Sequence, residues 1–231
     1  MSELGTSEWW TYSLSDLLLF SPRTYYRLFE LYNEAVWPMH VAGAAIGLVI
    51  LALLLLRPPV AGRIMALLLA ACWTWIAWAY LGSRYATINW AAVYFAYGFA
   101  LQALLLLLAG AAGLVNFTKP EPRFAPVGLG LFVFALLIQP LIGPLLGRSW
   151  SEIELFGLAP DPTVVATLGV LLAADRIPFA LMIVPLLWCA IGGGTLWAMG
   201  APDAIILSAA GLLAVLLAGW NRPAPRGPER G

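Results

Sequence analysis

Long apolar stretches run along most of the chain and are separated by short segments that carry charge, proline or glycine. A helix that crosses a bilayer needs about 20 mostly apolar residues, because the hydrocarbon core is about 30 Å thick and each helical residue rises about 1.5 Å. Six stretches meet or nearly meet this length: residues 37–56, 64–81, 90–114, 125–146, 177–199 and 204–220. The pattern predicts an all-α fold, a polytopic bundle of transmembrane helices.

A seventh apolar stretch, residues 163–174, is only about a dozen residues long. Three interpretations remain open for it: a short tilted span, a re-entrant half-helix, or a span that is lengthened at its Asp161-Pro162 start. Counting this stretch as a crossing gives about seven spans.

The distribution of Lys and Arg supports seven crossings, because cytoplasmic loops are enriched in these residues. With seven spans, eight of the twelve basic residues fall on one side of the membrane: Arg57, Arg63, Lys119, Arg123, Arg176, Arg222, Arg226 and Arg230. The other side receives Arg23, Arg27, Arg84 and Arg148. We therefore expect the amino terminus outside and the carboxyl terminus in the cytoplasm.

Three regions follow from this pattern. Residues 1–34 are predicted to hold an amphipathic interfacial segment, with a helix from about Pro22 that Ser21 caps. Residues 35–220 form the transmembrane bundle. Residues 221–231, rich in proline and glycine with nothing to bury, are predicted to be a disordered cytoplasmic tail.

Composition excludes several classes of protein. Of 231 residues, 62% are hydrophobic and 10% charged, and twelve basic residues balance twelve acidic ones, so no basic surface is available for a nucleic acid. The sequence carries no Walker loop, GxSxG or HExxH motif. One histidine cannot supply two axial haem ligands, and the sole lysine, Lys119, lies in a loop where no retinal Schiff base would form. We expect no cofactor and no enzymatic site.

Several short motifs give the chain a family likeness. They occupy residues 9–16, 20–26, 28–33, 85–92, 102–104 and 156–163, and so extend over most of the chain. Together they resemble an uncharacterised family of bacterial multi-pass membrane proteins, known only as a domain of unknown function and sometimes loosely labelled permease. The resemblance implies a helical membrane fold. It carries over no substrate, cofactor or catalytic residue.

Candidate substrate-binding residues come first from polar and aromatic side chains inside the spans. Gln102 and Gln139 must find hydrogen-bond partners or water there, and such groups more often bond a neighbouring helix than a substrate. Trp73, Trp75 and Tyr97 would suit an aromatic pocket for a cation or a flat ligand, although packing and an interfacial aromatic belt explain them as well.

The region from Pro160 to Gly194 supplies two charged candidates. A short helix and a span broken by proline and glycine are typical of secondary transporters, which expose helix ends to a substrate. Asp161 and Asp175 flank the short helix and are the charged residues we expect at a binding site. Proline and glycine are nevertheless common in membrane helices, and glycine also permits close packing.

A metal site is a further hypothesis. Glu30 and Glu34 lie one helical turn apart, and His40 follows them, so two carboxylates and an imidazole are available for a divalent ion. The alternative is that the carboxylates are solvated or pair with Arg27, with His40 at the level of the lipid headgroups.

Two functions are compatible with these features. The first is a permease-like carrier or channel for a small solute. The second is a noncatalytic binding or assembly subunit, in which Gly43, Gly47 and residues 192–194 pack against a lipid, a membrane partner or a second copy of the chain. In both cases the surrounding partner is the lipid bilayer.

Overall fold

The computed structural model describes residues 18–119 and 123–220, and every regular element within them is helical. The principal helices are α1 (Pro22–Val36), α2 (Met39–Leu56), α3 (Ala61–Trp75), α4 (Ala92–Ala111), α5 (Ala125–Val133), α6 (Gln139–Leu145), α7 (Pro160–Leu172), α8 (Phe179–Ala198) and α9 (Ala204–Trp220). A π-helical turn, Ile76–Gly82, extends α3, and another, Phe134–Ile138, joins α5 to α6. The predicted tail 221–231 and residues 1–17 lie outside the described residues.

Among the described residues, five continuous helices are long and apolar enough to cross a membrane: Met39–Leu56, Ala61–Thr87, Ala92–Ala111, Ala125–Leu145 and Phe179–Ala198. Two further apolar helices, Pro160–Leu172 and Ala204–Trp220, are shorter. The all-helical class is confirmed. Helix length alone supports five of the seven predicted spans.

Helix α7 lies at the centre of the bundle, and all 13 of its residues are buried. A helix that is apolar on every side is stable only when other elements surround it. Helices α3, α5, α8 and α9 pack against α7. The approach is closest to α5, where a Cβ added to Gly169 would lie 2.6 Å from the carbonyl oxygen of Gly128. The paired glycines therefore allow two helix backbones to touch.

The two ends of α7 meet different sets of loops. Its first turn, with Asp161, lies near Arg148 and Asp203, which precede α7 and α9. Beyond its last turn, the backbone N–H of Asp175 donates to the carbonyl of Asn116 over 2.8 Å, and the N–H of Lys119 donates to Asp175 Oδ1 over 2.8 Å. Helix α7 thus connects the two polar ends of the bundle. It begins at Pro160, as in the lengthened interpretation of this stretch.

Helix α1 packs on the end of the bundle that holds Asp161. Ser21 Oγ accepts a hydrogen bond from the N–H of Thr24, so the predicted cap is present. The helix buries Tyr25, Leu28, Phe29 and Tyr32. The ring of Phe29 stacks on that of Tyr80 at 4.9 Å, and Tyr32 Oη donates to the carbonyl of Leu158 over 3.1 Å. The amphipathic pattern of α1 is therefore used for packing against the bundle itself.

The outward faces of the helices carry many large apolar side chains. Exposed examples are Val41, Leu48, Leu55, Leu104, Leu108, Ile183, Leu187, Leu212 and Leu216. Exposed apolar surface that continues along several neighbouring helices is typical of contact with lipid.

Candidate functional site

A small polar cavity lies beside the first turn of α7. Six polar or charged residues line it, and we call it the acidic cavity: Gln139, Arg148, Glu152, Glu154, Asp161 and Asp203. Its volume of about 20 Å³ gives room for about one water molecule. Four carboxylates and a single guanidinium therefore surround a space that is nearly filled by protein.

Asp161 is the deepest of these carboxylates, with 4% of its surface exposed. Trp188 Nε1 donates to Asp161 Oδ1 over 2.8 Å. The Trp188 indole is held edge-on by Phe95 and Phe99, whose ring centroids lie 5.7 and 5.0 Å away. A carboxylate in the first turn of a helix also interacts favourably with the helix dipole.

Arg148 forms the buried ion pair of the cavity. Its Nη2 contacts Asp203 Oδ2, and only 16% and 10% of the two side chains are exposed. The guanidinium carbon also lies 4.6 Å from the centre of the Tyr26 ring of α1. A Cβ on Gly143 would lie 2.9 Å from Arg148 Nε, so the glycine makes room for the arginine.

Glu154 lines the acidic cavity without a counterion of its own. It makes no hydrogen bond or ion pair with any residue in the described part of the chain. Burial raises the pKa of Glu154 well above its ordinary value, and the nearby Asp161 raises it further, while Arg148 lowers it. Glu152 differs, because its Oε2 accepts the backbone N–H of Ser149 over 3.1 Å.

Three buried polar atoms around the cavity have no hydrogen-bond partner among the described residues. They are Gln139 Oε1, Arg148 Nη1 and Asp203 Oδ1. Buried polar atoms are almost always paired with protein or with ordered water, since desolvation without a partner costs about 1–3 kcal/mol. Two acceptors and one donor around a space of one water volume are the environment in which a buried water binds.

Of the seven predicted substrate-binding residues, the structure brings two together at the acidic cavity, Gln139 and Asp161. Asp175 lies at the opposite end of α7, where it accepts hydrogen bonds from residues 118 and 119. Tyr97 is 69% exposed on the outer face of α4. These two residues therefore lie away from the cavity.

The two predicted tryptophans serve packing. Trp73 Nε1 donates to Thr167 Oγ1 of α7 over 2.9 Å, deep in the bundle. Trp75 Nε1 donates to Tyr32 Oη over 2.8 Å and so ties α3 to α1. Each indole N–H has a protein partner, which is what a buried tryptophan requires.

Gln102 is fully buried and supplies a hydrogen bond that is missing within α8. Pro185 has no N–H and cannot bond the carbonyl of Leu181, four residues earlier in the helix. Gln102 Nε2 donates to that carbonyl over 2.9 Å. The glutamine thus satisfies a backbone group freed by proline, which is how membrane helices tolerate proline.

Replacing Gln102 by leucine is expected to lower the free energy of unfolding by about 1–3 kcal/mol, because the buried carbonyl of Leu181 loses its partner. In a Pro185→Ala background the alanine N–H can bond this carbonyl, so the same replacement should cost less. Thermal unfolding of the single and double variants in detergent measures the difference. Equal costs in both backgrounds would contradict the assignment.

The three predicted metal ligands are not gathered around one point. Glu30 pairs with Arg27 at 2.5 Å, whereas His40 Nε2 lies 3.3 Å from Asn33 Oδ1. Glu34 is exposed. Within residues 18–119 and 123–220, no group of three or more His, Cys, Asp or Glu side chains could hold a metal ion.

Glu154 and Asp203 are site residues that the sequence patterns do not single out. One signal was available: the loops before α7 and α9 carry these charges and were expected on the same side of the membrane. Their convergence on Asp161 depends on how α7 and α9 pack, which periodicity does not show.

The proposed glycine contact faces are occupied within the chain. A Cβ on Gly43 would lie 2.8 Å from the carbonyl oxygen of Phe156, and a Cβ on Gly47 would lie 2.3 Å from Leu136. Gly192 and Gly193 similarly face α9. Of these predicted contact glycines, Gly194 alone is open, because a Cβ there would meet nothing within 4 Å.

Comparison with known proteins identifies a family without naming an activity. No curated protein and no solved structure matches this chain. Residues 23–226 match the family described as "family of unknown function (DUF6064)", and this description contains no permease label. Because the match includes nearly the whole chain, the protein belongs to that family.

Proposed function

We propose that the protein is a multi-pass protein of the bacterial inner membrane that acts as a permease-like carrier or channel for a small solute, with the acidic cavity as its binding site. Five long apolar helices and their exposed apolar faces support the membrane setting. Exposed tryptophans at the end that holds the acidic cavity, among them Trp37, Trp90 and Trp150, suit an interfacial aromatic belt. The Lys and Arg distribution favours an outside position for this end.

The observation that carries the proposal is the set of unsatisfied polar groups at the start of a fully buried helix. Gln139 Oε1, Arg148 Nη1 and Asp203 Oδ1 lack a partner among the described residues. Their side chains line, with those of Asp161 and Glu154, a small space between α6, α7 and α9. A purely structural core would be expected to satisfy or exclude such groups, because each one costs free energy. Polar groups that converge on a cavity are typical of ligand sites.

The charge of the cavity favours a cationic solute. Arg148 pairs with Asp203, and in the described part of the chain neither Glu154 nor Asp161 has an ion pair of its own. With a volume of about 20 Å³ the cavity is far smaller than the roughly 300–1,000 Å³ of ordinary ligand pockets, so a carrier of this kind would have to open before a solute could bind. Residues 152–154 line it from the segment before α7. Asn33 Nδ2 of α1 donates to the carbonyls of Ser151 and Ile153 and so holds this segment in place. Solute entry would require these contacts to open.

The test is a thermal-shift screen of detergent-purified protein against ammonium, guanidinium, amines, amino acids, neutral solutes and lipids. A ligand that binds only the folded state at 100 times its Kd stabilises it by about 2.7 kcal/mol. We expect a saturable shift from a cationic solute. Asp161→Asn should abolish it while the retained side-chain oxygen still accepts from Trp188.

Asp175→Asn is the matched control, because Asp175 lies at the other end of α7. It should leave the solute-dependent shift unchanged. Solute uptake into proteoliposomes should likewise be retained in Asp175→Asn and lost in Asp161→Asn. A shift from lipid alone would overturn the carrier proposal in favour of the binding or assembly subunit. An equal loss of the solute shift in both variants would remove the acidic cavity as the site.

A further inference from the structure

The acidic cavity holds more negative charge than its surroundings compensate. Among its carboxylates, Asp203 pairs with Arg148, and Glu152 accepts the N–H of Ser149. Asp161 accepts from the neutral indole of Trp188, and Glu154 has no hydrogen-bond or ion-pair partner among residues 18–119 and 123–220. Within this described part of the chain, two carboxylates thus line one small space with no free cation between them. Like charges at close range in a poorly solvated site do not both ionise readily.

A second observation points to something bound there. The Asp203 side chain is only 10% exposed, yet its Oδ1 has no partner among the described residues, and the same is true of Gln139 Oε1 and Arg148 Nη1. The space that these side chains line is the size of one water. A water there would accept from Arg148 and donate to the two oxygens.

We propose that the acidic cavity is a proton-binding site, in which Glu154 carries a proton at neutral pH next to one enclosed water molecule. This inference deepens the proposed function and rests on it in one respect: the proton is then the ion that a cationic solute displaces. The binding of the proton itself depends only on the geometry of the cavity.

The other groups around Glu154 do not offer it a counterion. From α1 it faces Tyr25 and Tyr26, and from the π-helical turn after α3 it faces Tyr80. Asp161 and Asp203 add negative charge from α7 and from the start of α9. Arg148 is the one cation among the described groups that act on Glu154, and Asp203 already holds it.

Stability should depend on pH with a definite sign. Burial, together with Asp161, raises the pKa of Glu154, so the folded protein retains a proton that the unfolded chain has lost. The resulting stability is complete below the ordinary pKa of glutamate, about 4.3, and is lost as the pH rises toward the folded-state pKa. The melting temperature should therefore fall as the pH rises above about 5.

The experiment combines infrared spectroscopy with thermal unfolding of the full chain in detergent between about pH 5 and pH 9. The wild type should show the carbonyl stretch of a protonated carboxylic acid at neutral pH and lose it at high pH. Glu154→Gln should remove this band and most of the pH dependence of the melting temperature. Glu34→Gln, which changes an exposed carboxylate on α1, is the control and should leave both unchanged.

In Glu154→Gln, either of two results would overturn the inference: the protonated-carboxyl band persists, or the melting temperature depends on pH as it does in the wild type. If Asp161→Asn alone removes the band, the proton belongs to Asp161 and the assignment to Glu154 is wrong. The measurement needs no solute, so it can succeed even if no solute is found to bind. A solute shift with no protonated-carboxyl band would retain the carrier and reject the proton site.

Discussion

Replacing Arg148 by alanine is expected to lower the free energy of unfolding by about 3–5 kcal/mol, because it leaves the buried carboxylate of Asp203 without its partner. The side chain also covers the Tyr26 ring, so α1 should loosen from the end of the bundle. Chemical unfolding in detergent measures the change in stability, and proteolysis near residue 36 would report the loosening of α1.

The double variant Arg148→Ala with Asp203→Ala should be less destabilised than Arg148→Ala alone, since no uncompensated charge remains. The control is Arg27→Ala, which breaks the exposed pair of Arg27 with Glu30 and should produce no measurable change. If the double variant were as unstable as the single one, the loss would come from packing rather than from the buried charge.

The second large effect concerns the contact between α5 and α7. Gly169→Ala is expected to cost about 3 kcal/mol, because its Cβ would lie 2.6 Å from the carbonyl oxygen of Gly128 and 2.7 Å from the amide nitrogen of Phe132. Both neighbours are backbone atoms, so relief requires two helices to separate. The melting temperature of the purified variant measures the effect.

Gly130→Ala is the matched control on α5, since a Cβ at Gly130 would meet nothing within 4 Å. It should be neutral or stabilise the helix by about 0.5–1 kcal/mol, because alanine is the better helix former. Equal losses in Gly130→Ala and Gly169→Ala would show that the close approach of α5 and α7 is not what limits stability.

The central position of α7 links this packing to the proposed site. Its first turn places Asp161 at the acidic cavity, and the helix is buried from its first residue to its last. Any shift of α7 relative to α5 would move Asp161 relative to Arg148 and Glu154. A variant that separates these helices should therefore weaken solute stabilisation in addition to lowering the melting temperature, whereas Gly130→Ala should leave both intact.

The candidate site was only partly accessible from the sequence. The short helix at the start of a proline- and glycine-broken region pointed to Asp161, and a polar side chain inside an apolar span pointed to Gln139. The structure places both at the acidic cavity. The same criterion selected Gln102, whose amide instead satisfies the carbonyl that Pro185 frees on another helix. A polar residue inside an apolar span indicates that its side chain needs a hydrogen-bond partner. It does not indicate whether that partner is a neighbouring helix or a ligand.

The sequence by itself determined the helical segments. The final helix, Ala204–Trp220, has the predicted bounds, and the others differ from prediction by a few residues at their ends. This agreement has a physical cause: a helix satisfies its backbone hydrogen bonds within one continuous segment, so apolar length and helix-ending residues suffice to locate it.

Only the tertiary structure decided what these helices enclose. The burial of α7, the pairing of Arg148 with Asp203 and the isolation of Glu154 all join residues that are distant in the chain. Such contacts depend on which helix faces meet, and nearly uniform apolar faces carry little information about that choice. Close fits such as that of Gly128 with Gly169 select the arrangement, because van der Waals contact is gained only when the backbones can touch.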